Sequence, residues 1–178
     1  MKNLKNILFT SILLCFATLG FAQDSQKSQS ANGSHYKGKG QLNVGLGVGF
    51  SNGSTGVMAD YEFMNLGQDF TVAAAVSYYG WSSSYAKYST IGLGVRFRWY
   101  ADRVLGITNN KWDVFASGDI GFGISNTNYN DGYENQGGNN VSPIYWGIGI
   151  GGKYHINDKI GLHAIIGTGA QFGITFGL

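Results

Sequence analysis

The chain is poor in the residues that stabilise small secreted domains and that carry thiol chemistry. It contains one cysteine, Cys15, and one proline. Cys15 lies in a segment that we expect to be removed, so the mature chain would hold no disulfide and no thiol. Charged residues account for 12% of the chain, about half the share of a typical soluble domain. These shortages exclude a disulfide-stabilised scaffold and a thiol enzyme.

Long hydrophobic runs and an excess of either charge are also missing from the expected mature chain. Beyond residue 22, no apolar stretch approaches the roughly 18 residues of a membrane-spanning helix. Without Lys2 and Lys5, the basic count falls from 12 to 10 and equals the 10 acidic residues. Nothing therefore indicates a nucleic-acid partner. If the mature protein enters a membrane, it must do so as strands.

Residues 1–22 have the layout of a secretory signal peptide. A positive start is followed by an apolar stretch from 7 to 19 and by small residues before Gln23. The apolar stretch is too short for a spanning helix, which makes an uncleaved anchor the weaker alternative. Residues 23–40 are polar and lack apolar periodicity, so they predict a flexible leader. One domain is expected in the remainder, residues 41–178.

What the chain has in abundance is glycine, with 29 residues, and aromatic side chains, at 15%. In the first segment Leu42, Val44 and Leu46 alternate with Asn43 and Gly45. Successive side chains of a strand point to opposite faces, so each such segment predicts a strand with one apolar face and one small, polar face. Turn residues separate most of the segments, as in an antiparallel meander. Eight segments follow this rule: 41–50, 56–64, 70–79, 89–100, 112–124, 144–156, 159–167 and 171–178.

The apolar face of these segments can point either into the barrel or outward from it. In a soluble barrel of the lipocalin kind it would point inward, leaving an exterior of Gly, Ala and Ser with little charge. In a transmembrane barrel it would meet lipid, and glycine inside would leave room for larger side chains such as Arg96 and Arg98. Strand charges lie on the minor face, where they avoid the roughly 2–4 kcal/mol that Lys or Arg costs at the lipid midplane. The pattern favours an all-β fold, a transmembrane eight-stranded antiparallel up-and-down β-barrel.

Aromatic residues collect near the ends of the predicted strands. With the N-terminus on the periplasmic side, they form two groups that match the aromatic girdles of membrane barrels. Ordinary β-propensity explains aromatic residues in strands, but not the lack of charge on the same face. The periplasmic group comprises Tyr61, Phe63, Phe70, Trp99, Trp112, Tyr154 and Phe176, and the outer group comprises Phe50, Tyr78, Trp81 and Trp146.

The signal peptide, the eight alternating segments and the last strand together resemble the family of small eight-stranded outer-membrane barrels, which includes X-type and opacity-type surface proteins. Many members end in Phe or Trp, which the assembly machinery reads. Here the chain ends in Leu178, and Phe176 lies two residues earlier on the same face. The resemblance covers 41–178. It implies the outer membrane of a Gram-negative-type bacterium, with outer-membrane lipid and the barrel-assembly machinery as partners.

Charged residues on the minor face define a first candidate site inside the predicted barrel. Charges in so narrow an interior need partners. Two interpretations stay open, a salt-bridged plug that fills the barrel and a small polar or proton-responsive pore. The predicted interior charge network comprises Asp60, Glu62, Arg96, Arg98, Asp113, Asp119, Lys153 and His155.

The longest predicted outer connection, Ser125–Pro143, is a second candidate site. It is rich in Asn and Gly, and it lacks the acid spacing of a calcium loop. A rigid scaffold often carries recognition on such loops. The residues expected to contact a ligand are Tyr129, Asp131, Tyr133 and Glu134.

Catalytic and metal-binding patterns are weak in this chain. His155 and His163 fall on the same inner face, but metal sites usually take three or four ligands. Ser82, Ser83 and Ser84 have no histidine predicted near them, as a nucleophilic serine would require. We therefore expect no enzyme activity, no metal and no cofactor. A membrane-interface enzyme acting on lipid is the weakest alternative.

The expected function is that of a non-enzymatic integral outer-membrane barrel, with a structural or surface-interaction role through its outer loops. An extracellular ligand or protein would bind there. The alternative is a small porin-like barrel that passes a small or hydrophobic solute. Neither a particular ligand nor an oligomeric state follows from the pattern.

Overall fold

The computed structural model describes residues 38–50, 53–132 and 143–178, and in them the chain forms a closed barrel. Each strand pairs antiparallel with the next along the chain, and the last pairs with the first. The predicted eight-stranded antiparallel up-and-down β-barrel is thereby confirmed. The strands are β1 (Gln41–Gly49), β2 (Thr55–Asn65), β3 (Phe70–Ser82), β4 (Ala86–Tyr100), β5 (Trp112–Tyr129), β6 (Ile144–His155), β7 (Ile160–Gly167) and β8 (Gly169–Gly177).

A single turn of helix, α1 (Asp102–Leu105), lies between β4 and β5 and was not expected from the sequence. It ends at Gly106, whose positive φ of 64° suits a residue without a side chain. None of the helical residues in the described ranges belongs to a segment long and apolar enough to span a membrane. The predicted signal peptide, and the predicted leader as far as residue 37, lie outside the described residues.

Strands β1 and β8 close the barrel through an uninterrupted ladder from Gln41 opposite Gly177 to Gly49 opposite Gly169. Closure leaves no unpaired edge along these two strands. Because the number of strands is even, both Gln41 and Gly177 lie at the same end of the barrel, which we call the terminal end. The turns after β1, β3, β5 and β7 lie at the opposite end, which we call the far end.

Three strands are longer at the far end than the sequence pattern predicts. Pairing continues to Ser82 opposite Lys87 between β3 and β4, and to Ala86 opposite Tyr129 between β4 and β5. The predicted connection over 80–88 is therefore wrong, and only residues 83–85 link the two strands. Residues 125–129 likewise belong to β5 rather than to a loop. Backbone pairing between neighbours outweighs the low strand propensity of Ser and Asn there.

The alternation of β2 is interrupted near the terminal end. The register with β3 shifts between Glu62 and Met64, so that Met64 lies opposite Val72. Phe63 is the extra residue of this bulge, which interrupts the regular alternation that the sequence predicts over 56–64. Trp81 also departs from the predicted outer girdle. It follows Tyr79 on the inward-facing side of β3 and stacks on Tyr88, with ring centroids 4.5 Å apart.

Burial in the barrel is the reverse of that in an ordinary globular domain. Large apolar side chains face outward and are exposed, for example Trp146 at 70% and Ile150 at 66%. Charged side chains such as Glu62, Asp113 and Lys153 face inward and are completely buried. The described part of the chain holds only a small buried apolar cluster, of Tyr100, Phe115 and Ile165. The polar interior is therefore what the eight strands enclose.

Inward-facing glycines provide room for aromatic side chains. A Cβ on Gly94 would lie 2.5 Å from the Tyr145 hydroxyl, and one on Gly121 would lie 2.6 Å from the same atom. A Cβ on Gly151 would lie 2.6 Å from the Phe115 ring. Backbone oxygens of the neighbouring strands lie equally close, at 2.4 to 2.6 Å, so both the backbone and the two aromatic rings require glycine at these positions. The nearest neighbours of these glycines are aromatic and backbone atoms rather than the arginines.

Candidate functional site in the barrel interior

The carboxylate of Glu62 is the centre of the interior network. It accepts hydrogen bonds from Lys153 Nζ at 2.5 Å and from Thr71 Oγ1 at 2.8 Å. The Tyr100 hydroxyl lies 3.0 Å from Oε2, and Arg98 Nη1 lies 3.1 Å from Oε1. Three strands, β3, β4 and β6, thus place four donors around one fully buried acid. This number of donors compensates the cost of removing a carboxylate from water.

Asp60 binds the two arginines of β4. Arg98 donates to it through both terminal nitrogens, at 2.8 and 2.9 Å, in the bidentate geometry that suits a guanidinium and a carboxylate. Arg96 Nη1 donates to Asp60 Oδ2 at 2.8 Å. Because Arg96 and Arg98 are two residues apart on one strand, both point inward to the same acid. Asp60 and Glu62 are related in the same way on β2.

Arg96 carries the network across to the other side of the barrel. Its Nε lies 2.5 Å from Asp119 Oδ1, and its Nη1 donates to Gln171 Oε1 at 3.1 Å. The connected charges are therefore three acids, Asp60, Glu62 and Asp119, and three bases, Arg96, Arg98 and Lys153. Formal charges in the connected group cancel, as burial requires.

Neutral polar residues complete the ring, and of these the sequence interpretation named only His163, as one of two histidines on the inner face. Asn43 donates to both acids of β2, at 2.8 Å for Asp60 and 3.1 Å for Glu62, and accepts from Thr175 Oγ1 at 2.7 Å. His163 contacts Thr175 and Gln171, each at 3.2 Å. All eight strands supply a member of this cluster. In the sequence, Asn43, His163, Gln171 and Thr175 alternate on the same face as the inward glycines, and this position could have identified them as interior residues.

Two aromatic rings border the cationic side of the network. The Arg98 guanidinium lies 5.3 Å from the centre of the Phe115 ring, and Lys153 Nζ lies 5.4 Å from that of Tyr100. These distances permit cation–π attraction, which is stronger in a site without water. Lys153 also donates to the Tyr100 hydroxyl at 2.8 Å and to Gln41 Oε1. Rings and ion pairs together fill the terminal half of the interior.

Water does not reach the central members of this network. Arg98, Glu62 and Lys153 expose 1% or less of their surface, and Asp60 exposes 2%. A water-filled passage through this level of the barrel would expose the same side chains. The arrangement is that of a plug, held by charge pairs rather than by apolar packing.

Two of the predicted network members lie apart from this plug as a separate pair. His155 Nε2 lies 2.5 Å from Asp113 Oδ2 at the terminal end, where both residues are buried. His163 has different partners, so the two inner histidines do not form a site together. No group of three or more His, Cys, Asp or Glu that could hold a metal occurs within 38–50, 53–132 and 143–178.

The predicted outer recognition residues are only partly described. Tyr129 is the last residue of β5 and pairs with Ala86, so its assignment to a loop is wrong. Asp131 is exposed in the turn that follows. Tyr133 and Glu134 lie outside the described residues. Asn130 ties the start of this connection to the β3–β4 turn through bonds to Tyr85 O at 2.9 Å and to Ser84 O at 3.0 Å.

Helix α1 lies at the terminal end of the barrel and is held there by the buried carboxylate of Asp102. Asp102 Oδ1 accepts the backbone N–H of Val114 at 2.7 Å and so fixes the helix to β5. The neighbouring Asp69 is paired with Arg103. Burial, together with the nearby Asp113 and Asp69 carboxylates, raises the pKa of Asp102 to about 6 against the opposing effect of the Val114 bond.

Comparison with protein-family models finds no match for this chain, and comparison with curated proteins finds none either.

Removing the central acid of the plug is expected to destabilise the barrel strongly. Glu62→Gln leaves Lys153 and Arg98 short of a buried countercharge, and the free energy of unfolding should fall by about 3–5 kcal/mol. Urea unfolding after refolding in detergent measures the change. Glu62→Gln/Lys153→Met restores charge balance and should recover most of the loss. Equal stability of the single and double variants would contradict the role assigned to the ion pair.

The stability of the folded protein is expected to depend on pH through Asp102. Its pKa is higher in the folded than in the unfolded chain, so its contribution is complete below about pH 4 and is lost as the pH rises through about 6. Asp102→Asn should remove about 1–2 kcal/mol of this pH dependence. Thermal unfolding between these pH values tests it, with the exposed Asp131→Asn as control. Identical pH profiles for all three proteins would refute the assignment.

Proposed function

We propose that this chain is a non-enzymatic integral outer-membrane protein whose barrel is plugged and whose far end meets the surroundings of the cell. The inversion of burial carries the proposal, since apolar side chains cover the outside and charges are enclosed. A soluble barrel with this exterior would expose a continuous apolar surface far larger than monomers tolerate. Lipid is the environment in which such an exterior is stable.

The height of the apolar exterior supports the same environment. On β4 the outward residues from Ile91 to Trp99 are apolar, which is nine residues of strand. A tilted transmembrane strand needs about 9–11 residues. Aromatic pairs lie at the terminal edge of this belt, where the rings of Trp112 and Tyr154 are in tilted contact with centroids 4.9 Å apart. The far edge carries Phe50, Tyr78 and Trp146, all exposed.

The buried plug favours a structural or surface role over the porin-like alternative. Passage of a solute would have to break ion pairs that link Asp60, Glu62 and the β4 arginines. Breaking one buried pair costs several kcal/mol. No solute is therefore expected to pass at an appreciable rate while the network is intact.

Secretion through a cleaved signal peptide and insertion by the barrel-assembly machinery belong to this proposal. The resemblance to X-type and opacity-type barrels supports them, together with the aromatic Phe176 on the closing strand. Surface contact with an extracellular ligand or protein is assigned to the far end. There β3, β4 and β5 extend beyond the apolar belt, and the 130–143 connection joins β5 to β6.

Membrane insertion and closure of the interior can be measured on the same preparation. Refolded protein is expected to migrate differently on gels with and without heating, and to resist protease when inserted in phospholipid vesicles. Planar-bilayer recordings should show no stable conductance, because the plug excludes water. A stable, large-amplitude conductance would overturn the plug, and failure to insert would overturn the membrane assignment.

The surface role is tested by shortening the connection between β5 and β6. Replacing 133–142 by a short glycine–serine linker should leave the barrel folded, because β5 pairs with β4 up to Tyr129. Adhesion of bacteria that display the variant to cultured cells is expected to fall to the level of cells lacking the protein. Lys111→Ala, an exposed change at the terminal end, serves as control. Unchanged adhesion of the shortened variant would exclude this connection as the contact.

A further inference from the structure

A polar cavity of about 600 Å³ lies on the outward face of the strands that extend at the far end. Its volume falls within the usual range of ligand sites, about 300–1,000 Å³. The strands β2, β3, β4 and β5 all contribute to it. Its polar side chains are Thr55, Ser82, Lys87, Ser89, Asn126 and Asn128.

The register places these side chains directly beyond the apolar belt. One row crosses the strands through Thr55, Gly80, Ser89 and Asn126, and the next through Ser82, Lys87 and Asn128. The neighbouring row toward the terminal end is Val57, Tyr78, Ile91 and Ile124. The outward face therefore changes from apolar to polar in one step of two residues. A ligand at this boundary would meet both surfaces at once.

Gly80 leaves an open position in the middle of the first row. A Cβ built there has only the backbone oxygen of Tyr88 near it, at 3.5 Å, an ordinary contact distance. Packing therefore does not require glycine at this position, unlike Gly94 and Gly121 in the interior. The missing side chain adds to the space between Thr55 and Ser89. Hydroxyl and amide groups thus surround the open position at Gly80, and Tyr78, Trp81 and Tyr88 also line the cavity.

The chemistry of the cavity suits a phosphorylated sugar. Lys87 and Asn128 are adjacent on paired strands, and both side chains are exposed. Among the described residues, the Lys87 ammonium and the Asn126 and Asn128 amides have no protein partner. An ammonium binds a phosphate oxygen, and amides and hydroxyls match the donors and acceptors of sugar hydroxyl groups. Among the described residues that line the cavity, Lys87 is the only charged one, so an anion is favoured over a cation.

We propose that this cavity binds the phosphorylated sugar headgroup of a membrane lipid, whose acyl chains lie on Tyr78, Ile91 and Ile124. The proposal rests on the membrane location proposed above, because the belt must lie in lipid for headgroups to reach this row. Continuity between the cavity and the belt selects a lipid rather than a free sugar phosphate. Binding here would fix the depth and rotation of the barrel at the outer leaflet.

The test uses the full-length mature protein, refolded in detergent and inserted in phosphatidylcholine vesicles. The probe is an acylated, phosphorylated glucosamine disaccharide, and its dephosphorylated form and soluble glucosamine phosphate are compared with it. Native mass spectrometry counts the bound lipid, and titration measures the affinity. Lys87→Ala is expected to weaken binding of the phosphorylated lipid about tenfold, the size of one charge-assisted hydrogen bond. Asn128→Asp should weaken the phosphorylated form more than the dephosphorylated one.

A second pair of variants separates loss of the cavity from loss of folding. Gly80→Leu fills the open position and should abolish specific lipid binding. Gly118→Leu is its matched control, since Gly118 also faces outward and its nearest atom, Gly147 O, is 4.0 Å from a built Cβ. Gel mobility with and without heating reports that each variant is folded and inserted.

Three outcomes would overturn the lipid site. One is equal affinity for the wild type, Lys87→Ala and Gly80→Leu, and another is equal loss in Gly80→Leu and Gly118→Leu. The third is binding of soluble glucosamine phosphate as tight as that of the lipid, which would make the site a free-sugar site. In each of these outcomes the protein still inserts in the membrane, so the proposed function would stand even though the lipid site would not. Failure of the wild type to insert would overturn both.

Discussion

Closure of the sheet between β1 and β8 is the constraint on which the rest of the structure depends. It pairs the two strands that would otherwise be free edges of the sheet, and it also fixes how much volume the sheet can enclose. Only limited side-chain volume fits within so small a barrel. Glycine at many inward positions, such as Gly94, Gly121 and Gly151, is the consequence, because Tyr145 and Phe115 occupy the space in front of them.

The same closure explains why the interior charges are mutually paired. A charge on an inward face cannot turn to solvent, since the barrel wall surrounds it and the neighbouring layers fill the space above and below. It has to find its partner across the interior, and Glu62 does so with residues from β3, β4 and β6. Balanced ion pairs therefore fill and hold together this interior, as apolar side chains do in the core of a globular protein. A plugged interior leaves the far end as the place for contacts with other molecules, which agrees with the proposed surface role and with the proposed lipid site.

Much of the fold was predictable because the alternation of apolar and polar residues, with a period of two, can be recognised within each strand alone. The alternation around Leu42 and Ile91 identified the strands, their antiparallel order and the faces of Asp60, Arg96 and Lys153. Strand ends were less predictable, because Lys87 and Asn128 extend their strands only by pairing with each other. The bulge at Phe63 was equally hidden, since it depends on the register with β3. The rim cavity follows from such pairings and had no sequence signal of its own.

By itself the sequence determined the number of strands, the face on which most side chains lie and the separation of apolar from charged residues. These follow from the alternation within each strand and need no knowledge of neighbours. Only the tertiary structure decided which charges meet, because pairing across the barrel depends on the relative shift of all eight strands. Arg96 thereby reaches Asp119, whereas Asp113 pairs with His155. A shift of any strand would bring different partners to the same level, and no local pattern encodes that choice.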